Sequence, residues 1–341
     1  MRRLLLVALF ASLTVPSLAQ SNASAAPNDP LTLRATTRLV LVPTLVRTPS
    51  REFVYSLNAD DFFVTDKGTP QKVMLDTQSS QPLSLVVLIQ TGGSAVHELA
   101  NYRNLETMLA AILGAPPNQI SIVNFDSQPE AASPFTSDIT QWTYAINHPD
   151  PGDSGAAIMD SVKFALNLLN QQPASNRRAI LLICQPQDVG SKTTAQDIVR
   201  IAGETNTTIY TLTFSPQKTT LKNALREPPH GNPPLEVGNG SYQAYFNLTE
   251  PLKMILGAMR KNVAAELSNL SGGEAIPFDG QHQLDEALNL INADIRNRYM
   301  LTFRPTSAEP GFHPIQVRLL NYPQLMISAR PGYWSQDNNE H

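Results

Sequence analysis

The chain has 341 residues, with 25 Lys or Arg against 29 Asp or Glu and a formal charge of −4. That acidic balance excludes the basic stripe by which proteins engage nucleic acid, and the lone Cys184 excludes an internal disulfide. The length accommodates one large domain and one small one.

Residues 1–19, MRRLLLVALFASLTVPSLA, place Arg2 and Arg3 before an apolar run, with small residues at Ser17 and Ala19. This is the order of a secretory signal peptide cleaved before Gln20. The run is too short to span a bilayer, no later stretch is apolar enough to do so, and no cysteine follows for lipidation. A secreted or periplasmic protein with no transmembrane anchor is expected, and loss of Arg2 and Arg3 makes it more acidic still.

A Ser/Ala/Asn/Pro-rich linker over 20–35 precedes an N-terminal β module over 36–80. Its first strand, TTRLVLVPTLVR, alternates apolar and other residues, and Pro43 suggests an edge strand or a bulge. FFVTDKGTPQKVML follows as two strands about Asp66-Lys67-Gly68, a hairpin turn signal.

Strands then alternate with helices over 81–297, which implies parallel strands joined by right-handed crossovers. Apolar runs place strands at Leu85–Ile89, Ile120–Phe125, Ala179–Cys184 and Thr208–Phe214. Helical spacing puts Leu105, Met108, Leu109 and Ile112 on one buried face, and Ile158, Val162, Ala165 and Leu169 on another. Residues 215–250, with REPPHGNPP and few apolar residues in register, read as an irregular surface excursion. A helix over Pro251–Leu270 should stop at Gly272-Gly273, ahead of a short strand at Ala275–Phe278 and a helix over Leu284–Asn297.

Residues 298–334 return to strands as YMLTFRP, HPIQVRLL and LMISARPGYW, before a tail at 335–341. In the second of these, Ile315, Val317 and Leu319 should face inward, with Gln316 and Arg318 outward. Neither β group is large enough to stand alone, so the two are expected to pair into one small sandwich with the α/β domain inserted between them.

The stretch LVVLIQTGGS, a buried strand running into a Gly-rich turn at residues 85–94, resembles the opening of a von Willebrand factor A (VWA) domain. Taken with NADDFFVTDKGTPQKV, LSNLSGGEAIPFDGQHQLDEALNLINADIRNRYMLTFRPT and the closing ARPGYW, the chain is similar to the VWFA-related acidobacterial-type group over roughly residues 36–334. The resemblance implies an α/β fold with a VWA-type doubly wound, mostly parallel sheet flanked by helices. It also implies a magnesium site built from an Asp-x-Ser-x-Ser loop, a Thr and a second Asp.

Carried over by motif, those five positions are Gln90, Gly92, Ser94, Ala156 and Gln185. Both carboxylates are replaced by amides and only the Ser94 hydroxyl survives, so the charge that would offset magnesium's dehydration is missing. No metal and no other cofactor is therefore expected, with Gln90 and Gln185 bonding to each other, to Ser94 or to water. Asp126, Asp153 and Asp188 lie in nearby loops and read as solvated acids or helix caps rather than a displaced ion site.

Other catalytic patterns are missing: no Gly-x-Ser-x-Gly elbow, no His-Glu-x-x-His, no phosphate-binding loop. Cys184, inside an apolar strand, reads as a small buried hydrophobe. His97, His148, His230, His282, His313 and His341 have no ligand spacing and are expected at the surface. A non-enzymatic binding module is the expectation, contacting a protein or cell-envelope partner at the five degenerate positions without metal. The alternatives are a magnesium-dependent adhesion domain, a structural envelope component and a hydrolase with an unrecognised constellation. The sequence specifies neither the partner nor the oligomeric state.

Overall fold

Alternation of apolar and polar residues, with few strong helix formers, sets the N-terminal segment as strands. In the computed structural model, which describes residues 39–76, 81–102, 104–130, 133–149, 152–214, 250–259, 262–307 and 309–335, these are β1 (Val40–Arg47), β2 (Phe62–Asp66), β3 (Thr69–Gln71) and β4 (Met74–Asp76). The expected leader and linker, the excursion through residue 249 and residues 336–341 lie outside the described residues. β2 and β3 form the expected hairpin, with Lys67 and Gly68 both at positive φ (48° and 80°) as a tight two-residue turn requires.

The α/β part runs β5 (Leu83–Gln90), α1 (Leu105–Leu113), β6 (Gln119–Phe125), α2 (Ile139–Asn147), α3 (Ile158–Asn170), β7 (Arg177–Cys184), α4 (Ala195–Glu204) and β8 (Thr207–Phe214). It continues with α5 (Glu250–Met259), α6 (Val263–Ser271), β9 (Ala275–Phe278) and α7 (Gln281–Asn297). All five strands of its sheet are parallel, in the order β6-β5-β7-β8-β9. This is the doubly wound arrangement that the sequence resemblance implies.

Two cores sandwich that sheet. Leu85, Val87 and Ile89 of β5 join Leu109, Trp142 and Ile291 on one face, while Val86 and Leu88 join Ile158, Val162 and Leu267 on the other. Burial on both faces explains the unbroken apolar run of β5, each such side chain contributing about 1.5–3 kcal/mol.

The remaining strands are β10 (Tyr299–Phe303), β11 (Gly311–Leu319), β12 (Met326–Ala329) and β13 (Gly332–Ser335). They interleave with the N-terminal strands in two four-stranded sheets, β12-β1-β10-β4 and β13-β11-β2-β3, every pairing antiparallel. Val42, Val64, Leu301, Phe303 and Val317 fill the space between them. The expected pairing of the two β groups is thus present, as is the inward register of Ile315 and Val317.

Five expectations differ from the structure. The segment after the Asp66-Lys67-Gly68 turn, expected as one strand, is two, β3 and β4, in two different sheets. β1 is an inner strand, and Pro43 is accommodated because pairing with β12 starts only at Thr44, leaving that half of the strand with one neighbour. The helix expected over Pro251–Leu270 is two, the second opened by the Asn262 side chain accepting from the Ala265 N–H. LMISARPGYW is likewise two strands in two different sheets, because the chain turns at Arg330-Pro331. His313 is fully buried rather than at the surface: its Nδ1 lies 2.9 Å from Asp66 Oδ1, and its Nε2 donates to Glu309 O at 2.7 Å. His148 and His282 are exposed; His230 and His341 lie outside the described residues.

The stop at Gly272-Gly273 forms as expected, with Gly272 left-handed at φ 75°. Gly273 has a second reason to be glycine: a Cβ there would lie 1.9 Å from Ile209 O on β8. The α6–β9 connection runs directly against the sheet.

Candidate functional site

In the order β6-β5-β7-β8-β9, the chain leaves β5 toward one side of the sheet and β7 toward the other. A crevice opens at the carboxyl ends of such a strand pair, where α/β sheets place their ligands. Gln90 closes β5, and Gln185 follows β7 by one residue. The structure therefore brings Gln90, Gly92, Ser94 and Gln185 together from segments about ninety residues apart.

Gln90 is completely buried. Its Oε1 accepts from the Gln185 backbone N–H at 2.9 Å, and its Nε2 donates to Gly92 O at 3.1 Å and to Gln185 Oε1 at 3.3 Å. Gln185 Oε1 accepts a second bond from Ser94 Oγ at 2.9 Å, while its Nε2 donates to Gln187 O at 2.9 Å. Each amide thus uses both its donor and its acceptor ends, which a carboxylate, having no donor, could not do. The expected bonding of the two amides to each other and to Ser94 is what the geometry holds.

A magnesium ion does not fit this donor set. The two amide oxygens that face the crevice are already engaged by N–H and O–H donors, and no carboxylate supplies charge to offset dehydration.

Gly92 is fixed by packing. A Cβ on it would lie 2.4 Å from Asp153 O and 2.7 Å from Asp126 Cβ, and the Gly93 N–H donates to Asp153 O at 2.7 Å. The turn after β5 is clamped by the loop before α3. Ala156 is buried at the far side, exchanging two backbone bonds with Val189 (3.0 and 2.8 Å). It lines the loop junction but offers no side-chain oxygen.

The three nearby aspartates serve the loops. Asp126 accepts from the Asp153 and Gln128 N–H groups, and Asp153 Oδ1 accepts from Ser127 N at 3.1 Å and Gly155 N at 2.7 Å. Hydrogen bonds from Ser127, then from Gly155, hold the Asp153 carboxyl below its ordinary value. Asp188 accepts from the Met159 N–H in the first turn of α3 and from Ser191, as a helix-capping acid does. Among the described residues no group of three or more His, Cys, Asp or Glu is placed to hold a metal ion.

Cys184 is buried at the end of β7, and burial pushes its thiol well above the ordinary value, so it packs as a small hydrophobe. The loop acids were visible in the sequence. Their mutual bonding was not, because it depends on loops 126–128 and 152–155 meeting in space.

No protein-family model and no curated protein matches the chain. Solved structures with which it aligns include BatB from Bacteroides thetaiotaomicron, at 16% identity over 63% of this chain and 97% of that one, TM-score 0.38. The vWF domain of the type V pili tip protein Mfa5 from Porphyromonas gingivalis aligns at 10% identity over 63% and 95%, TM-score 0.42. An aerotolerance-related membrane protein from Bacteroides fragilis aligns at 15% identity over 62% and 98%, TM-score 0.39.

Proposed function

We propose that the chain is an exported, non-enzymatic interaction module of VWA type that recognises a protein or cell-envelope partner without a metal ion. The contact face is the carboxyl edge of the sheet, around Gln90, Gly92, Ser94, Ala156 and Gln185, bordered by the exposed Gln187 and Gly93. The observation that carries this reading is the closed bonding between Gln90, Gln185 and Ser94. A metal-dependent face gains its partner's acidic group as a ligand; here the Gln90, Gln185 and Ser94 side chains are neutral and bonded to one another, so the partner must be met by shape and by surrounding polar groups.

The test places a photoreactive amino acid at Gln187, and separately at exposed Arg318 on the β sandwich as a control, in the full chain within its own envelope fraction. A discrete crosslinked species from Gln187, absent from Arg318 and unchanged by chelator, is the expected result. Loss of that species with chelator would favour the magnesium-dependent alternative. Crosslinking from Arg318 alone would move the contact face to the sandwich.

A further inference from the structure

At the opposite, amino edge of the sheet lies a cavity of about 610 Å³, walled by the start of β7, the C-terminal ends of α3 and α7, and the outer face of β1 and β10. Four arginines line it. Arg298 is neutralised by Asp294, and the wall's one carboxylate, Glu204, pairs with Arg200 at 3.2 Å.

Arg177, Arg178 and Arg296 form no ion pair with any described residue, and their acceptors are all neutral. Arg177 donates to Gln81 O and to Ile295 O at 3.0 Å; Arg178 to Asn170 Oδ1 and to Gln172 O at 2.9 Å; Arg296 to Asn292 Oδ1 and to Ala111 O at 2.8 Å. Carbonyls at helix C-termini explain why each arginine is held there, but a helix end carries only about half a negative charge. The buried Arg178 Nε has no partner at all. Burial also lowers the pKa of both Arg177 and Arg178, the mark of cations short of compensating charge.

The opposite wall is different in kind. Leu41 and Met300 project from the outer face of their sheet, alternating with the core residues Val42 and Leu301, and Tyr55 stands beside them 58% exposed. A cationic wall and an apolar wall in one cavity, of a volume within the roughly 300–1,000 Å³ usual for ligand pockets, are complementary to one class of molecule.

We infer that this cavity binds a small organic anion, a carboxylate or phosphate monoester with an apolar body, its oxyanion against Arg177, Arg178 and Arg296 and its apolar part against Leu41 and Met300. Guanidinium forks pair with either oxyanion, and the anion supplies the charge that the helix ends leave uncompensated.

Calorimetric titration of the full chain with decanoate, decyl phosphate, decanol and inorganic phosphate tests this. One saturable site for decanoate or decyl phosphate is expected, at least about tenfold tighter than for decanol or phosphate and weakened by added salt; the tighter of the two identifies the headgroup. Arg178→Gln should weaken it about tenfold or more. Because that change also removes a cap from α3, Ala174→Trp at the exposed rim provides a second variant that obstructs the cavity without touching a buried bond. Absence of saturable binding up to about 1 mM of either anion, or binding that both variants leave unchanged, overturns the assignment.

Discussion

Arg330 Nη2 donates to the Gly203 carbonyl at 3.0 Å, tying the link between the two sandwich sheets to the last turn of α4. The same guanidinium donates to Gly332 O at 2.8 Å and to Leu41 O at 3.4 Å, and is only 3% exposed. No described carboxylate pairs with it, and burial lowers its pKa to about 10. Three carbonyls from three places in the chain have one donor group in common.

Arg330→Met should therefore cost about 2 kcal/mol or more, because carbonyls left without donors inside the protein pay their desolvation in full. Arg318→Met, at an exposed position of β11, should stay within about 0.5 kcal/mol. Urea denaturation measures both; equal midpoints for Arg330→Met and the unaltered chain would show that the clamp contributes nothing.

The double substitution Gln90→Asp with Gln185→Asp places two carboxylates where an amide pair now closes on itself. At neutral pH their repulsion, with the loss of every amide donor, should lower the melting temperature, and magnesium or manganese should restore part of it. The unaltered chain should show no heat of binding with either ion. Tight magnesium binding by the unaltered chain, lost in Gln90→Ala, would falsify the neutral-site reading.

Gly92→Ala should destabilise the fold by about 2 kcal/mol or more, since the new Cβ meets the Asp153 backbone rather than a side chain that can rotate away. It follows that Gly92→Ser likewise requires the loop before α3 to move. Hydrogen exchange at residues 152–155 would accelerate in either variant if the clamp is as described.

The depressed carboxyl of Asp153 gives the crevice loops an acid response. A folded-state value below the ordinary 3.8 means that the stabilisation is complete above 3.8 and is lost as pH falls through the folded value. Protection of the Ser127 and Gly155 amides from hydrogen exchange, measured against the intrinsic rate at each pH, should therefore fall on acidification below 3.8. In Asp153→Asn that added sensitivity should vanish; a persisting acid response would assign it to another group.

Asp66, His313 and Tyr333 form a second buried polar group, between β2, β11 and β13. Tyr333 donates its hydroxyl to Asp66 Oδ2 at 2.8 Å while His313 Nδ1 faces Oδ1. Tyr333→Phe leaves a buried acceptor short of a donor and should cost about 1–3 kcal/mol by denaturant titration. A neutral outcome would mean that water replaces the hydroxyl.

What the sequence determined by itself was whatever has a local period or a local stop. Five apolar residues from Leu85 to Ile89 demanded a strand covered on both faces, Asp66-Lys67-Gly68 demanded a hairpin, and Gly272-Gly273 ended a helix, because each rests on backbone and burial rules acting within a few residues. Even the pairing of distant β groups followed, since neither could cover its own apolar face. α2 escaped because ITQWTYAIN is rich in β-branched and aromatic residues of low helix propensity, and burial of Trp142 and Ile146 outweighs that. Only the tertiary structure decided where the polar groups went. It buried His313 against Asp66, gave Arg330 three carbonyls, joined Gln90 to Gln185, and left Arg177, Arg178 and Arg296 around one cavity. A hydrogen-bond partner ninety or two hundred residues away leaves no periodic trace in either segment, so its identity is fixed only when the chain has closed.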